Sequence, residues 1–149
     1  MTIETVLKET TNLILDTSVL IGYFSEENLS ITPLLDTYVF SEASNITLYG
    51  HNLLKTEIYY ITCRKKGITE AKNILNKVES IINIIGESWL FEKAGQIKCK
   101  YSIAFSDCFS LSLAYFQDCP VFFLNERELS EEMIKKINKD FNIKIHIVY

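Results

Sequence analysis

Proline and glycine are scarce in this chain, two and five among 149 residues, while 48% of it is hydrophobic. That balance excludes disorder and collagen-like structure. Long apolar runs are missing as well. Like every other apolar run in the chain, the stretch around Ile81 to Ile85, interrupted by Asn83, falls far short of the roughly 18 residues a membrane span takes. The opening MTIETVLKET carries acids and has no basic flank leading into an apolar run, so no secretory signal is expected there. A cytoplasmic protein with no membrane partner is expected. No fixed-period repeat or low-complexity tract divides the chain. Its length suits a single domain, 1–149, large enough to bury a core without disulfide or metal staples.

Soft metal ligands are equally thin. Cys63, Cys99, Cys108 and Cys119 are irregularly spaced, with no C-x-x-C pair and no histidine cluster nearby, which argues against a zinc site and for reduced, structural thiols. His51 and His146 stand far apart and share no motif, so they give a histidine-based mechanism no support. Excess positive charge is absent too. Fifteen Lys and Arg face 19 Asp and Glu for a net charge of −4, which at first argues against nucleic acid as a partner. The distribution changes that. Residues 1–54 hold one Lys and seven acids, residues 55–100 nine bases and five acids, and the remainder five bases and seven acids. Setting aside the four acids discussed below leaves 15 against 15, so bound divalent cations would remove the repulsion a phosphate meets.

What is present is an alternation of strand-like and helix-like segments. Asn12 to Leu15 reads as a short buried strand, followed by cap residues Asp16, Thr17 and Ser18 and a helix carrying Val19, Leu20, Tyr23 and Phe24. Thr32 and Pro33 read as an N-cap and first helical position of a helix to about Ala43. Ile46 to Tyr49 is a second strand. Asn52 to Lys65 is a helix with Leu54, Ile58 and Ile61 on one stripe, closed by a basic turn and Gly67. Helices are expected over Thr69 to about Ile82 and over Trp89 to Lys100, with Asn83 to Gly86 ambiguous between helix end and strand. Ser106 reads as the cap of a helix from Asp107 to about Gln117. Val121 to Leu124 is a strand, Ser130 to Lys139 a helix and Ile143 to Val148 a final strand. The order predicts an α/β fold, a mostly parallel sheet of four to five strands with helices on both faces.

Four acids stand where apolar runs meet caps or turns: Asp16, Glu57, Asp107 and Glu126. Carboxylates in such places are costly to bury unless paired, hydrogen-bonded or metal-bound. Open α/β sheets bind ligands at the carboxyl ends of their strands, and Asp16 follows Leu13-Ile14-Leu15 at such an end. Alone it reads as a cap or a ligand, and Thr17 and Ser18 as polar support or alternative caps. Glu57 lies three residues after Leu54 and four before Ile61, on the apolar stripe, where it needs a partner. Asp107 shares its helix side with Leu111 and Ala114 and reads as a cap or a ligand. Glu126 sits in the loop Asn125-Glu126-Arg127-Glu128, either solvated or a ligand, with Glu128 an equally acidic neighbour. Together they predict a carboxylate cluster that binds divalent metal for phosphodiester hydrolysis. An all-oxygen donor set favours Mg²⁺ or Mn²⁺.

The same segments, in the same order, resemble the PIN-domain nucleases, especially the prokaryotic VapC-type toxins. Asn-Leu-Ile-Leu-Asp-Thr-Ser-Val-Leu at 12–20 looks like the family's opening strand and first acid, and Leu-Lys-Thr-Glu-Ile-Tyr-Tyr at 54–60 like its second. Ile-Ala-Phe-Ser-Asp-Cys-Phe-Ser-Leu at 103–111 is similar to the segment holding the third, and Phe-Leu-Asn-Glu-Arg-Glu-Leu at 123–129 falls where the fourth is expected. The family's last motif usually runs from threonine to aspartate. Here Leu124 and Glu126 stand instead, which removes a hydroxyl and lengthens the fourth acid's reach. The resemblance implies a metal-dependent endoribonuclease, with Asp16 and Asp107 as principal ligands, Glu57 as a ligand or orienter of the attacking water, and Glu126 as a ligand through water. It also implies an RNA substrate, a small antitoxin partner in the cleft and a homodimer. Arg64, Lys65, Lys66, Lys98 and Lys100 are candidate phosphate contacts, and Tyr23, Tyr59, Tyr60 and Tyr101 candidate stacking residues.

Two rivals remain at this level. One is a binding module that kept the fold and lost catalysis, which Leu124 and Glu126 make conceivable. The other is phosphoryl chemistry on an aspartate. Against phosphatases of the haloacid-dehalogenase kind, Asp16 is followed by Thr-Ser and not by a second Asp two residues on; against receiver domains, no paired acids precede the first strand's Asp.

Overall fold

The computed structural model describes residues 1–125 and 129–149. Five strands form one parallel sheet: β1 (Asn12–Leu15), β2 (Thr47–Gly50), β3 (Ile82–Ile84), β4 (Val121–Leu124) and β5 (Ile145–Val148), in the spatial order β3-β2-β1-β4-β5. The central strand β1 sets its Ile14 against Tyr49 of β2 on one side and Val121 of β4 on the other. Because successive strand side chains alternate in direction, Leu13 and Leu15 enter one core and Ile14 the other.

Two helical layers cover the two faces. Leu13, Leu15, Leu48 and Phe122 pack with α1 (Ile3–Glu9), α2 (Thr17–Phe24), α3 (Thr32–Tyr38), α4 (Asn52–Lys66) and α5 (Ile68–Glu79). Ile14, Val121 and Phe123 pack with α6 (Glu87–Lys100), α7 (Phe105–Gln117) and α8 (Glu131–Phe141). Both faces of the sheet are therefore buried. That is why its strands read as continuous apolar runs and not as alternating ones.

The chain builds β1, β2 and β3 in one direction, then returns through α6 and α7 to lay β4 on the opposite flank of β1. Strand order reverses between β1 and β4. At that switch point an open α/β sheet splays its loops apart and leaves a crevice beyond the strand C-termini.

The structure departs from the sequence expectations in a few places. The opening residues form α1, capped by Thr2, whose hydroxyl accepts from the Thr5 amide at 3.2 Å, and anchored by buried Val6 and Leu7. Helix α3 starts with Ile31 as its cap and ends at Tyr38, short of Ala43. There the amide of Phe40 reaches back to the carbonyl of Leu35, and the Phe40 ring stacks on Tyr23 with centroids 4.3 Å apart. The ambiguous stretch after Ile82 is strand, because Ile82, Asn83 and Ile84 pair with Leu48, Tyr49 and Gly50. Helix α7 opens at Phe105 with Ala104 as its cap, so Ser106 lies inside the first turn. All four cysteines are free, Cys108 and Cys119 buried and Cys99 exposed.

Gly67 joins α4 to α5 with φ 91° and ψ 173°, a backbone region open essentially to glycine alone. A Cβ there would meet nothing within 4 Å, so any penalty is conformational and not steric crowding. Gly67→Ala is expected to destabilise the protein by about 1–3 kcal/mol, read as a lowered denaturant midpoint. An unchanged midpoint would show that the junction relaxes into an ordinary conformation.

Candidate active site

Asp16 is the first residue beyond β1, and its amide donates to the carbonyl of Phe122 at 3.0 Å, tying the end of β1 to β4. Its extended backbone, φ −66° and ψ 163°, makes it the N-cap of α2 by position, yet the side chain forms no capping hydrogen bond. The capping explanation therefore fails for this carboxylate. Asp16 is 2% exposed, and its Oδ1 accepts a hydrogen bond from Ser110 Oγ at 3.1 Å.

Asp107 occupies the first turn of α7, where the unpaired amides of a helix start favour negative charge. Ser110 follows one helical turn later on the same face. Asp107 is 4% exposed. Ser106, one residue before it, donates its hydroxyl to Glu57 Oε1, and Thr17 donates to that same oxygen at 2.8 Å. Glu57 sits half-buried on α4. Its carboxylate thus fastens α4 to the starts of both α2 and α7, which answers why a glutamate stands on the apolar stripe.

Asp16, Thr17, Glu57, Lys65, Asp107 and Leu124 line a single cleft of about 330 Å³ at the switch point. Three of the four acids singled out in the sequence therefore converge. The fourth, Glu126, and its neighbour Glu128 lie outside the described residues. Leu124 lines the cleft where the family motif usually has threonine, and the hydroxyls there come instead from Thr17 and Ser18 in its lining and from Ser106 and Ser110 on its acids.

The donor set fits a hard divalent ion. Two nearly buried carboxylates, Asp16 and Asp107, the half-buried Glu57 and an exposed one, Glu27, line the cleft, with no cysteine or histidine among its lining residues. The Ser18 hydroxyl is buried beside them without a hydrogen-bond partner among the described residues, a group that water around an ion would satisfy. Among the described residues, no three His, Cys, Asp or Glu side chains form a ready-made metal cage. Mg²⁺ does not require one, since it keeps several waters and is commonly held by one or two carboxylates together with substrate phosphate.

Several secondary expectations change. Lys98 is committed to the carbonyl of Ile103 at 2.6 Å, and Lys100 pairs with Asp140 at 3.4 Å, so neither faces the cleft as a free cation. Tyr101 is buried with its hydroxyl on Asp140, and Tyr23 donates to Asp36. Burial first and the Asp36 acceptor second push the Tyr23 phenol pKa up to about 12, and for Tyr101 the Asp140 acceptor first and burial second do the same, to about 12. Lys65 does line the cleft, and nearby on α4 the Arg64 guanidinium lies 5.1 Å from the centroid of the Tyr60 ring, which is 40% exposed.

His51 and Ser110 are the participants that the sequence did not mark. His51 is fully buried as the N-cap of α4, its Nδ1 accepting from the Leu54 amide at 3.1 Å and its Nε2 lying 2.9 Å from Ser110 Oγ. Burial lowers its pKa to about 4, against a weaker upward pull from Glu87. The available signal is the serines Ser106, Ser110 and Ser112 around Asp107 in a largely apolar helix.

The PIN domain family profile matches residues 13–132, the greater part of the chain. The chain belongs to the PIN domain family. PIN domains are in general nucleases that use divalent metal ions. No curated protein matches this PIN domain at the level of sequence. Among solved structures, it is similar to a chain of the crystal structure of VapBC2 from Rickettsia felis bound to a DNA fragment from their promoter, with a TM-score of 0.65 and 15% identity, covering 93% of this chain and 99% of that one. It is also similar to a chain of a toxin-antitoxin complex from Klebsiella pneumoniae, with a TM-score of 0.55 and 15% identity over 80% of this chain and 91% of that one. At these identities the likeness is one of fold.

Proposed function

We propose that this PIN domain is a Mg²⁺- or Mn²⁺-dependent endoribonuclease and the toxin of a toxin–antitoxin pair. One observation carries the reading: acids from the end of β1, from α4 and from α7 line one cleft at the switch point of a parallel sheet. Asp16 and Asp107 would hold the ion, Glu57 would orient the attacking water, and Glu126 is assigned as a ligand through water. When bound, such an ion supplies positive charge to the scissile phosphate and lowers the pKa of water, so no protein nucleophile is needed. Thr17 and Ser106 hold Glu57 by one oxygen and keep its position constant. Lys65 at the cleft, with Arg64 and Lys66 beside it, offers cationic contacts to the RNA backbone, and Tyr60 a face for an unstacked base.

One of the similar structures is a toxin–antitoxin complex and another is VapBC2 bound to a promoter fragment, which supports a small antitoxin as partner in the cleft; homodimerisation and a cytoplasmic location belong to the same reading. Among the described residues no helix is long and apolar enough to cross a membrane.

A second reading, a PIN-like module that binds RNA or protein without cleaving, is favoured by Leu124, which lines the cleft where the family motif usually has the hydroxyl of threonine. Mn²⁺ calorimetry paired with an RNA cleavage assay separates the two. The nuclease reading expects Mn²⁺ heats, cleavage that stops with EDTA, and recovery when Mg²⁺ or Mn²⁺ is restored. RNA left intact by a protein that binds no Mn²⁺ would leave only the binding module.

A further inference from the structure

We propose that His51 and Ser110 form a proton-ordered hydrogen-bond relay that aims the Asp16 carboxylate into the cleft, which makes both of them positioning residues for its metal site. The inference rests on the metal-dependent reading above and adds to it two residues that touch neither metal nor substrate.

The direction of every proton in the relay follows from what each group can do. The Leu54 amide can only donate, so His51 Nδ1, 3.1 Å away, carries no hydrogen. A neutral imidazole has one N–H, which therefore sits on Nε2 and points to Ser110 Oγ at 2.9 Å. With its oxygen occupied as an acceptor on that side, Ser110 turns its only hydrogen to Asp16 Oδ1 at 3.1 Å. Burial keeps the imidazole neutral down to about pH 4, so this order persists throughout the neutral range.

Capping α4 requires only a single acceptor, which serine or asparagine supplies with a shorter side chain. Histidine places a second polar atom across its ring, and that atom reaches α7. His51 and Ser110 are 0% exposed and Asp16 is 2% exposed. Such a buried polar chain is tolerated only when its members are satisfied together. Here the outcome is a carboxylate that has left its capping position and has one oxygen pinned from behind. Groups that orient a metal-binding side chain in this way tune affinity without contacting the ion.

The test is Mn²⁺ calorimetry on the full chain, with thermal unfolding of the metal-free proteins as the control for folding. Ser110→Ala is expected to weaken Mn²⁺ binding by about 10- to 100-fold, and Ser110→Thr, which keeps the hydroxyl, to restore most of that loss. His51→Asn keeps an acceptor for Leu54 but does not reach Ser110; it should weaken binding in the same direction. In the Ser110→Ala background, His51→Asn should change Mn²⁺ affinity no further, because its influence passes through the serine. A purely structural role would leave Mn²⁺ affinity unmoved in every folded variant. Wild-type affinity in folded Ser110→Ala overturns the relay while leaving the nuclease reading intact. If Ser110→Ala does not fold, folded His51→Asn decides alone, and wild-type affinity there overturns the relay too. A wild-type protein that binds no Mn²⁺ removes the metal reading, and the relay with it.

Discussion

Asp16→Asn is expected to abolish Mg²⁺- or Mn²⁺-dependent RNA cleavage, lowering it by at least about 10³-fold, or about 4 kcal/mol of transition-state stabilisation. The substitution keeps shape and removes charge. Asparagine retains an oxygen able to accept from Ser110 and remains suited to the N-cap position of α2. The backbone links that hold this corner, from the residue 16 amide to Phe122 and from the Val19 and Leu20 amides back to the residue 16 carbonyl, do not involve the side chain. The fold should survive, as a native-like thermal transition would show, while the cleft loses the carboxylate nearest the strand end. Calorimetry on Asp16→Asn combined with Asp107→Asn should then give no Mn²⁺ heats. Full cleavage by Asp16→Asn would refute its assignment as a ligand, and unchanged Mn²⁺ binding in the double variant would refute the cleft as the metal site.

The parts of the site legible in the sequence were those written in local patterns. Asp16 is legible because Leu13, Ile14 and Leu15, running into the cap residues Asp16, Thr17 and Ser18, read as a buried strand, which puts the next residue at a strand's carboxyl end. Glu57 was visible through helical periodicity, which put a charge among Leu54, Ile58 and Ile61. The partners of these acids were not legible, because hydrogen bonds between α4, α7 and the end of β1 depend on how the helices pack on the sheet. Ser106 illustrates this: by local rules it caps a helix, whereas in the fold it donates to Glu57. Lys98 and Tyr101 show the opposite error. Each looks available in sequence, and each is consumed by a tertiary partner, Ile103 and Asp140 respectively. Helix α1 has no clear sequence signal because its seven residues are too few for a period, and packing of Val6 and Leu7 stabilises it more than propensity does.

Acidification from pH 6.5 to about pH 4 is expected to cost the native protein about 3 kcal/mol through His51 alone, since each unit of pKa difference is worth about 1.36 kcal/mol. The sign follows from proton uptake. In the unfolded chain the imidazole protonates near its ordinary value of 6.5, whereas in the native protein burial delays protonation to about 4. Between those values the unfolded state binds more protons, so stability falls as pH falls; above 6.5 neither state is charged and the full stability is present. The structure explains the resistance to protonation. A charged imidazole carries hydrogens on both nitrogens, and the one on Nδ1 would face the Leu54 amide hydrogen, breaking the cap of α4 inside a fully buried site. His146, half-buried at β5, is also shifted downward by burial and adds in the same direction, so the comparison must be with a variant that changes residue 51 only. His51→Asn retains the cap acceptor and cannot titrate. Its urea-unfolding free energy, measured beside the wild type's from pH 7 to pH 4.5, should fall less steeply, narrowing the gap between the two proteins as acid is added. A gap that stays constant over that range would mean that folding leaves the pKa of His51 unchanged, and that its imidazole is not the buried, neutral hydrogen-bonding group between α4 and α7.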